Sequence, residues 1–139
     1  MSTLFAIPSH LVGAAADAAK LYLSGKVQDA IAFCDQELAA LEKQIPPRSN
    51  KPPQTADPAS AVYQYHALTL ILVNALAQIE EWKAAKAALG RYRVHFPRDP
   101  WGFRAGAEIT RRDPVVKDKA AVARAAQLLE DEAKRLQGA

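Results

Sequence analysis

Three histidines, a single cysteine and a run of arginines interleaved with aromatic rings are the side chains in this 139-residue sequence that could do chemistry. Zinc needs converging donors, commonly supplied by Cys-x-x-Cys or His-Glu-x-x-His pairs, and the sequence contains neither. His10, His66 and His95 are far apart, and no carboxylate pattern ties them together. His66 stands among Tyr63, Tyr65 and Leu68, the setting of a helix-interface residue. His95 stands near Arg91, Arg93 and Arg98, which disfavour an imidazolium. The stretch Gly102-Phe103-Arg104-Ala105-Gly106 follows no predicted strand and lacks the Lys-Ser/Thr ending of a phosphate loop. Glu80-Glu81 and Asp131-Glu132 are adjacent pairs, which diverge on a helix instead of forming an acid–base dyad. The residues thus name no catalytic group, no metal ligand and no cofactor. The reading is non-enzymatic, with a helical active site of unrecognised type as one alternative.

The arginines carry more information. Residues 83–119 hold ten Lys or Arg against four Asp or Glu, a local net charge of +6, whereas the rest of the chain has eight against eleven, or −3. Tyr92, Phe96, Trp101 and Phe103 lie in the same block. Guanidinium groups beside aromatic rings suit an acidic protein segment, where Arg, Trp and Tyr are typical anchors. They also suit nucleic acid, where rings stack on bases and guanidinium groups meet phosphate. The expected partner-binding set is Arg91, Arg93, Arg98, Trp101, Arg104, Arg111 and Arg112. Its expected partner is an acidic protein segment or a second copy of the chain, with nucleic acid as the alternative. Tyr92 matches an apolar helical phase, which would turn Arg91 and Arg93 toward solvent. Trp101 and Phe103 are expected either to plug the seam between the fourth helix and the last or to face the partner. Arg111-Arg112 precedes the last predicted helix, where positive charge opposes the helix dipole unless a contact needs it.

The elements behind these residues read as helical throughout. Alanine runs at 14–16, 84–85 and 120–121 favour helix, and no segment alternates with period two. Ser9 is a candidate cap for a first helix carrying Leu11, Ala15, Ala18 and Leu21. Val27, Ala30, Ile31, Cys34, Leu38 and Leu41 mark a second, which ends before Pro46-Pro47. Residues 46–58, PPRSNKPPQTADP, form an exposed proline-rich loop that is either tolerated or reaches a partner. A third helix from near Ala59–Ala61 to Ile79 is apolar around most of its circumference and must lie centrally. A fourth carries Trp82, Ala85, Ala88, Leu89, Tyr92 and Phe96; residues 105–111 are too short a pattern to settle. The last helix is expected to start with Asp113 as cap and Pro114 in its first turn, with an apolar stripe from Val115 to Leu136. One domain spans 1–139.

Cys34, alone, excludes an intramolecular disulfide and reads as a buried small hydrophobe in a reducing, cytoplasmic setting, with a reactive or intermolecular thiol as the alternative. The N-terminal stretch lacks a positive leading region, and Asp17 and Lys20 follow closely, against an export sequence. The most apolar stretch, 67–79, is too short to span a bilayer.

The first two hairpins share an internal pattern. Ala18, Leu21, Gly25, Val27, Ala30, Cys34 and Leu38 stand at the same offsets as Val73, Leu76, Glu80, Trp82, Ala85, Leu89 and Arg93, with Pro97 closing the second. This pattern resembles the tetratricopeptide repeat family over about half the chain. The departures are Glu80 in place of a turn glycine, Val73 in place of a small residue and no closing proline in the first copy. The resemblance implies antiparallel helical hairpins stacked in a short array, with the C-terminal helix as a cap, and a role as a peptide-binding adaptor or scaffold. A compact bundle of five or six helices is the alternative architecture.

Overall fold

A computed structural model describes residues 3–45 and 52–138 of the chain. Six α-helices follow in order: α1 (Gly13–Leu23), α2 (Val27–Glu42), α3 (Ala61–Gln78), α4 (Trp82–His95), α5 (Pro100–Arg112) and α6 (Lys119–Gly138). No strand occurs among the described residues, so the fold is all-α. Each helix packs on the next in sequence, and α1 also packs on α3. Helix α3 is the centre of the assembly. Every residue from Tyr63 to Leu76 is buried, as its all-round apolarity requires.

The shared offsets of the first two hairpins correspond to one turn geometry used twice. Gly25 has φ +84° and Glu80 φ +60°, both left-handed. Lys26 N–H donates to Leu21 O and Glu81 N–H to Leu76 O, each closing a Schellman motif over its helix end. Ala30 and Ala85, the fourth residues of α2 and α4, are both fully buried. Cys34 and Leu89, one turn later, are fully buried as well.

Three boundaries differ from the sequence reading. Ser9 does not cap α1. The helix starts at Gly13, and residues 3–12 instead run along α3, where Phe5 bonds Asn74 and Val12 bonds Gln64. Residues 100–112 form a full helix, because Asp99 accepts the Trp101 N–H and Pro100 is pre-set for the first turn. Asp113 does not cap the last helix. Its carboxylate is drawn to Lys86 of α4 at 2.5 Å, and Asp118 caps α6 by accepting the Ala120 and Ala121 N–H groups. Val115 therefore lies outside α6 and is largely exposed. With α5 in place, α6 is the second member of a third hairpin, not a lone cap.

The proline-rich loop is in part a structured element. Residues 46–51 lie outside the described residues. Pro53–Thr55 forms a 3-10 turn with Pro53 buried against α3, whereas the sequence reading has the whole segment exposed.

Helices α4 and α5 approach closely because Gly102 and Gly106, one turn apart, leave a notch on α5. A Cβ at Gly102 would stand 3.0 Å from Arg93 Cγ and 3.1 Å from Tyr92 Cδ1. The glycines that fail as a phosphate loop are the floor on which the Arg93 stem lies.

Candidate functional site

The seven residues expected to form one surface divide into three groups. Arg91 and Arg93 do not point to open solvent, because each has an intramolecular acceptor close by. Arg91 donates from Nε and Nη2 to the two oxygens of Glu42, at 2.7 and 2.6 Å. Tyr65 O–H also donates to Glu42 Oε2, at 2.9 Å. This bidentate, charge-assisted pair is the strong kind of ionic contact, and it ties α4 to the end of α2. The Arg91 hydrogen bonds hold the Glu42 carboxyl below its usual range against the opposing effect of burial, and Glu42 raises Arg91 in return. Arg93 lies across the α5 notch, donates to Gly102 O at 3.0 Å and sits 5.4 Å from the Phe103 ring centre. Burial lowers the pKa of its guanidinium from the usual arginine value.

Trp101 belongs to a buried polar and aromatic network. Its ring meets His66 edge-on at 4.6 Å and Tyr92 at 5.1 Å between centres. It plugs a seam between α3, α4 and α5, whereas the sequence reading placed the seam between α4 and the last helix. Tyr92 O–H donates to Asp99 Oδ2, and Gln54 Nε2 of the 3-10 turn donates to the same oxygen at 2.9 Å. Having donated to Asp99, the Tyr92 oxygen remains an acceptor for His66 Nδ1 at 3.1 Å, which assigns the proton to Nδ1. The 3.4 Å approach of Gln54 Nε2 to that nitrogen is then a contact between two donors and not a hydrogen bond. Desolvation pushes His66 down to about 4, opposed by Asp99. Burial, reinforced by Asp99, raises the Tyr92 hydroxyl above its ordinary value. His66, Tyr92 and Asp99 are each at most 5 % exposed. Groups satisfied by one another and shut from solvent hold elements in register, and this set fixes the 3-10 turn, α3, α4 and α5 together. Cys34 is equally enclosed, and burial pushes its thiol up to about 12, so it is not a nucleophile.

The remaining arginines are at the surface. Arg98 and Arg104 are exposed, with no ion pair among the described residues. Arg111 and Arg112 occupy the last turn of α5, where the helix dipole favours cations. The dipole conflict expected from sequence therefore does not exist. Both form one wall of a cleft of about 700 Å³ between the end of α5 and the start of α6. Pro114, Val116, Val122 and Ala123 give the cleft its apolar lining, and Lys117 and Lys119 stand with the two arginines around it. Asp113 is the one carboxylate there, and Lys86 neutralises it. Hydrogen bonding from Lys86 holds the Asp113 carboxyl below its ordinary value. Arg111 pairs with Glu130 at 3.0 Å and Arg112 with Glu108 at 2.7 Å. Lys117 and Lys119 have no ion pair among the described residues. The two lysines were not singled out from sequence, although both fall inside the +6 block; only the α5–α6 turn brings them beside the arginines.

Among the described residues, no group of three or more His, Cys, Asp or Glu is placed to hold a metal ion. No described helix is long and apolar enough to cross a membrane. Comparison with family models, with curated proteins and with solved structures returned no match.

Proposed function

We propose that the chain is a non-enzymatic interaction module that takes an acidic, partly apolar protein segment in the α5–α6 cleft. The observation that carries this reading is the cleft's make-up: four cationic side chains around an apolar lining, with its one carboxylate already neutralised. Val115 and Val116, 74 % and 45 % exposed, extend the apolar surface at its edge. A partner bearing alternating carboxylates and aliphatic groups matches both features at once.

The existing ion pairs do not oppose this reading. Exposed pairs such as Arg111–Glu130 and Arg112–Glu108 contribute about 0–1 kcal/mol each, so a partner's carboxylate can exchange with Glu108 or Glu130 at little cost. A protein segment is favoured over nucleic acid by the position of the rings. Tyr92 and Phe96 are buried and offer bases no stacking face, and the part-buried Trp101 ring is engaged by Phe5, His66 and Tyr92.

The test is a titration of a labelled peptide of alternating Glu and Leu, with an oligothymidine strand as the competing probe. Reversing Arg111, Arg112, Lys117 and Lys119 to Glu should weaken peptide binding by about thirty-fold, at roughly 0.5 kcal/mol per lost contact. The far-ultraviolet circular dichroism should stay helical. Undiminished binding by the fourfold variant would remove the cleft as the site. Tighter binding of oligothymidine, with a steep salt dependence from counterion release, would replace the protein partner with nucleic acid.

A further inference from the structure

We propose that residues 3–11 are a tethered peptide ligand, seated on a groove of α3 and α5 that accepts an uncharged, aromatic-anchored protein segment in their place. This surface is separate from the basic cleft and does not depend on it.

The groove is defined by polar side chains that helix packing alone does not explain. Asn74 lies in the middle of the most buried helix and is only 2 % exposed. A buried amide is costly unless its donor and acceptor are both used. Here both are used on one residue of the N-terminal segment. Phe5 N–H donates to Asn74 Oδ1 at 2.8 Å, and Asn74 Nδ2 donates to Phe5 O at 2.9 Å. Such a clamp reads main chain, which every peptide carries. Gln64, near the other end of α3, fixes where the segment enters α1: its Nε2 donates to Val12 O and Pro58 O, each at 2.8 Å, and its Oε1 accepts the Ala15 N–H of α1 at 2.8 Å. The segment therefore runs antiparallel to α3, across about 15 Å of helix.

Selectivity comes from the side chains. The Phe5 ring meets Trp101 of α5 edge-on at 5.8 Å between centres, which gives the groove an aromatic anchor point. Residues 3–11, TLFAIPSHL, include no Asp, Glu, Lys or Arg. The occupant that fits is thus an uncharged stretch with an aromatic residue one clamp away from Trp101.

The segment is seated on the outside of the core in the manner of a ligand, with His10 Nε2 2.9 Å from the Tyr63 hydroxyl as a further contact to α3. No backbone group of Ala6–Ser9 forms a hydrogen bond among the described residues. Leu4, Phe5, Ile7 and Leu11 pack against the core but are only partly buried. Open clefts of about 510 and 410 Å³ border it, one against α1 and one beside Asn74 and Trp82. A short tether keeps such a segment at an effective concentration on the order of millimolar, which is enough to exclude a weaker competitor.

The experiment uses the full chain and a fluorescent synthetic peptide with the sequence of residues 3–11. Phe5→Ala loosens the tethered copy while leaving Asn74 and Trp101 in place. Anisotropy titration should show the peptide binding Phe5→Ala at least about ten-fold more tightly than wild type. Adding Asn74→Ala to Phe5→Ala should cancel that gain. In the wild-type chain, saturating peptide should accelerate hydrogen exchange of the Phe5 amide, which displacement frees from Asn74. Equal peptide affinity for wild type and Phe5→Ala, or an unchanged Phe5 exchange rate, would overturn the proposal. Failure of Phe5→Ala to fold would also overturn it, since the segment would then be core and not ligand.

Discussion

Protonating His66 should unfold this protein more effectively than its three-histidine composition suggests. In the unfolded chain the imidazole titrates near its ordinary 6.5, whereas desolvation between Trp101 and Tyr92 brings it to about 4 in the fold. The folded pKa is depressed, so the unfolded chain binds more protons between those two values. The contribution to stability is therefore fully present above about pH 6.5 and is lost as pH falls toward 4. At about 1.4 kcal/mol per pH unit, the loss is about 2 kcal/mol between pH 6.5 and 5, and about 3 kcal/mol by pH 4. Glu42 and Asp113, whose folded pKa values are depressed, lose their stabilising contribution only below the ordinary carboxylate range, so the upper window is free of them and the His66→Gln comparison singles out His66. Urea denaturation at about pH 7, 6 and 5 on wild type and His66→Gln reads this directly, because glutamine keeps a donor for Tyr92 but does not titrate. The wild type should lose about 2 kcal/mol more than the variant across that range. Parallel pH dependence in the two proteins would refute the argument and mean that His66 reaches water in the fold.

Three substitutions test the packing. Ala85→Leu places three extra carbons at a fully buried position and should cost about 1–3 kcal/mol by overpacking, seen as a lowered urea midpoint. Glu80→Gly should raise stability by about 1 kcal/mol, because the left-handed backbone at φ +60° strains any residue with a Cβ, and thermal denaturation checks it. Gly102→Ala should lower the melting temperature by the equivalent of about 1–2 kcal/mol, since its Cβ meets a Tyr92 ring that Asp99 holds in place. A neutral Gly102→Ala would show that α4 and α5 have room to separate.

The sequence made the local features legible. Helical periodicity marks α2, α3 and α4 closely, and the shared offsets of Gly25 and Glu80 point to a common turn, which both residues adopt with positive φ. What stayed hidden depended on contacts between distant elements. Asp113 followed by Pro114 is a strong cap signal, but Lys86, 27 residues earlier, takes the carboxylate and leaves the capping to Asp118. Helical phase turns Arg93 outward from Tyr92, yet nothing in the α4 sequence reveals that α5 brings a glycine notch to receive it. The candidate site was legible only in part. Charge counting found the right region of the chain, but two of its six arginines and its tryptophan serve the interior, while Lys117 and Lys119 complete the cleft. The N-terminal segment lacks periodicity, and its partner Asn74 is 69 residues away, so no local pattern announces it.

The most direct test of the central reading is a nitrogen–proton correlation spectrum recorded while the acidic Glu–Leu peptide is added to the 139-residue chain. Amide shifts should change at Arg111, Arg112, Val116, Lys117, Val122 and Ala123, which surround the cleft, and fade as salt is raised. Shifts confined to other faces of the molecule, or none at millimolar peptide, would contradict the account.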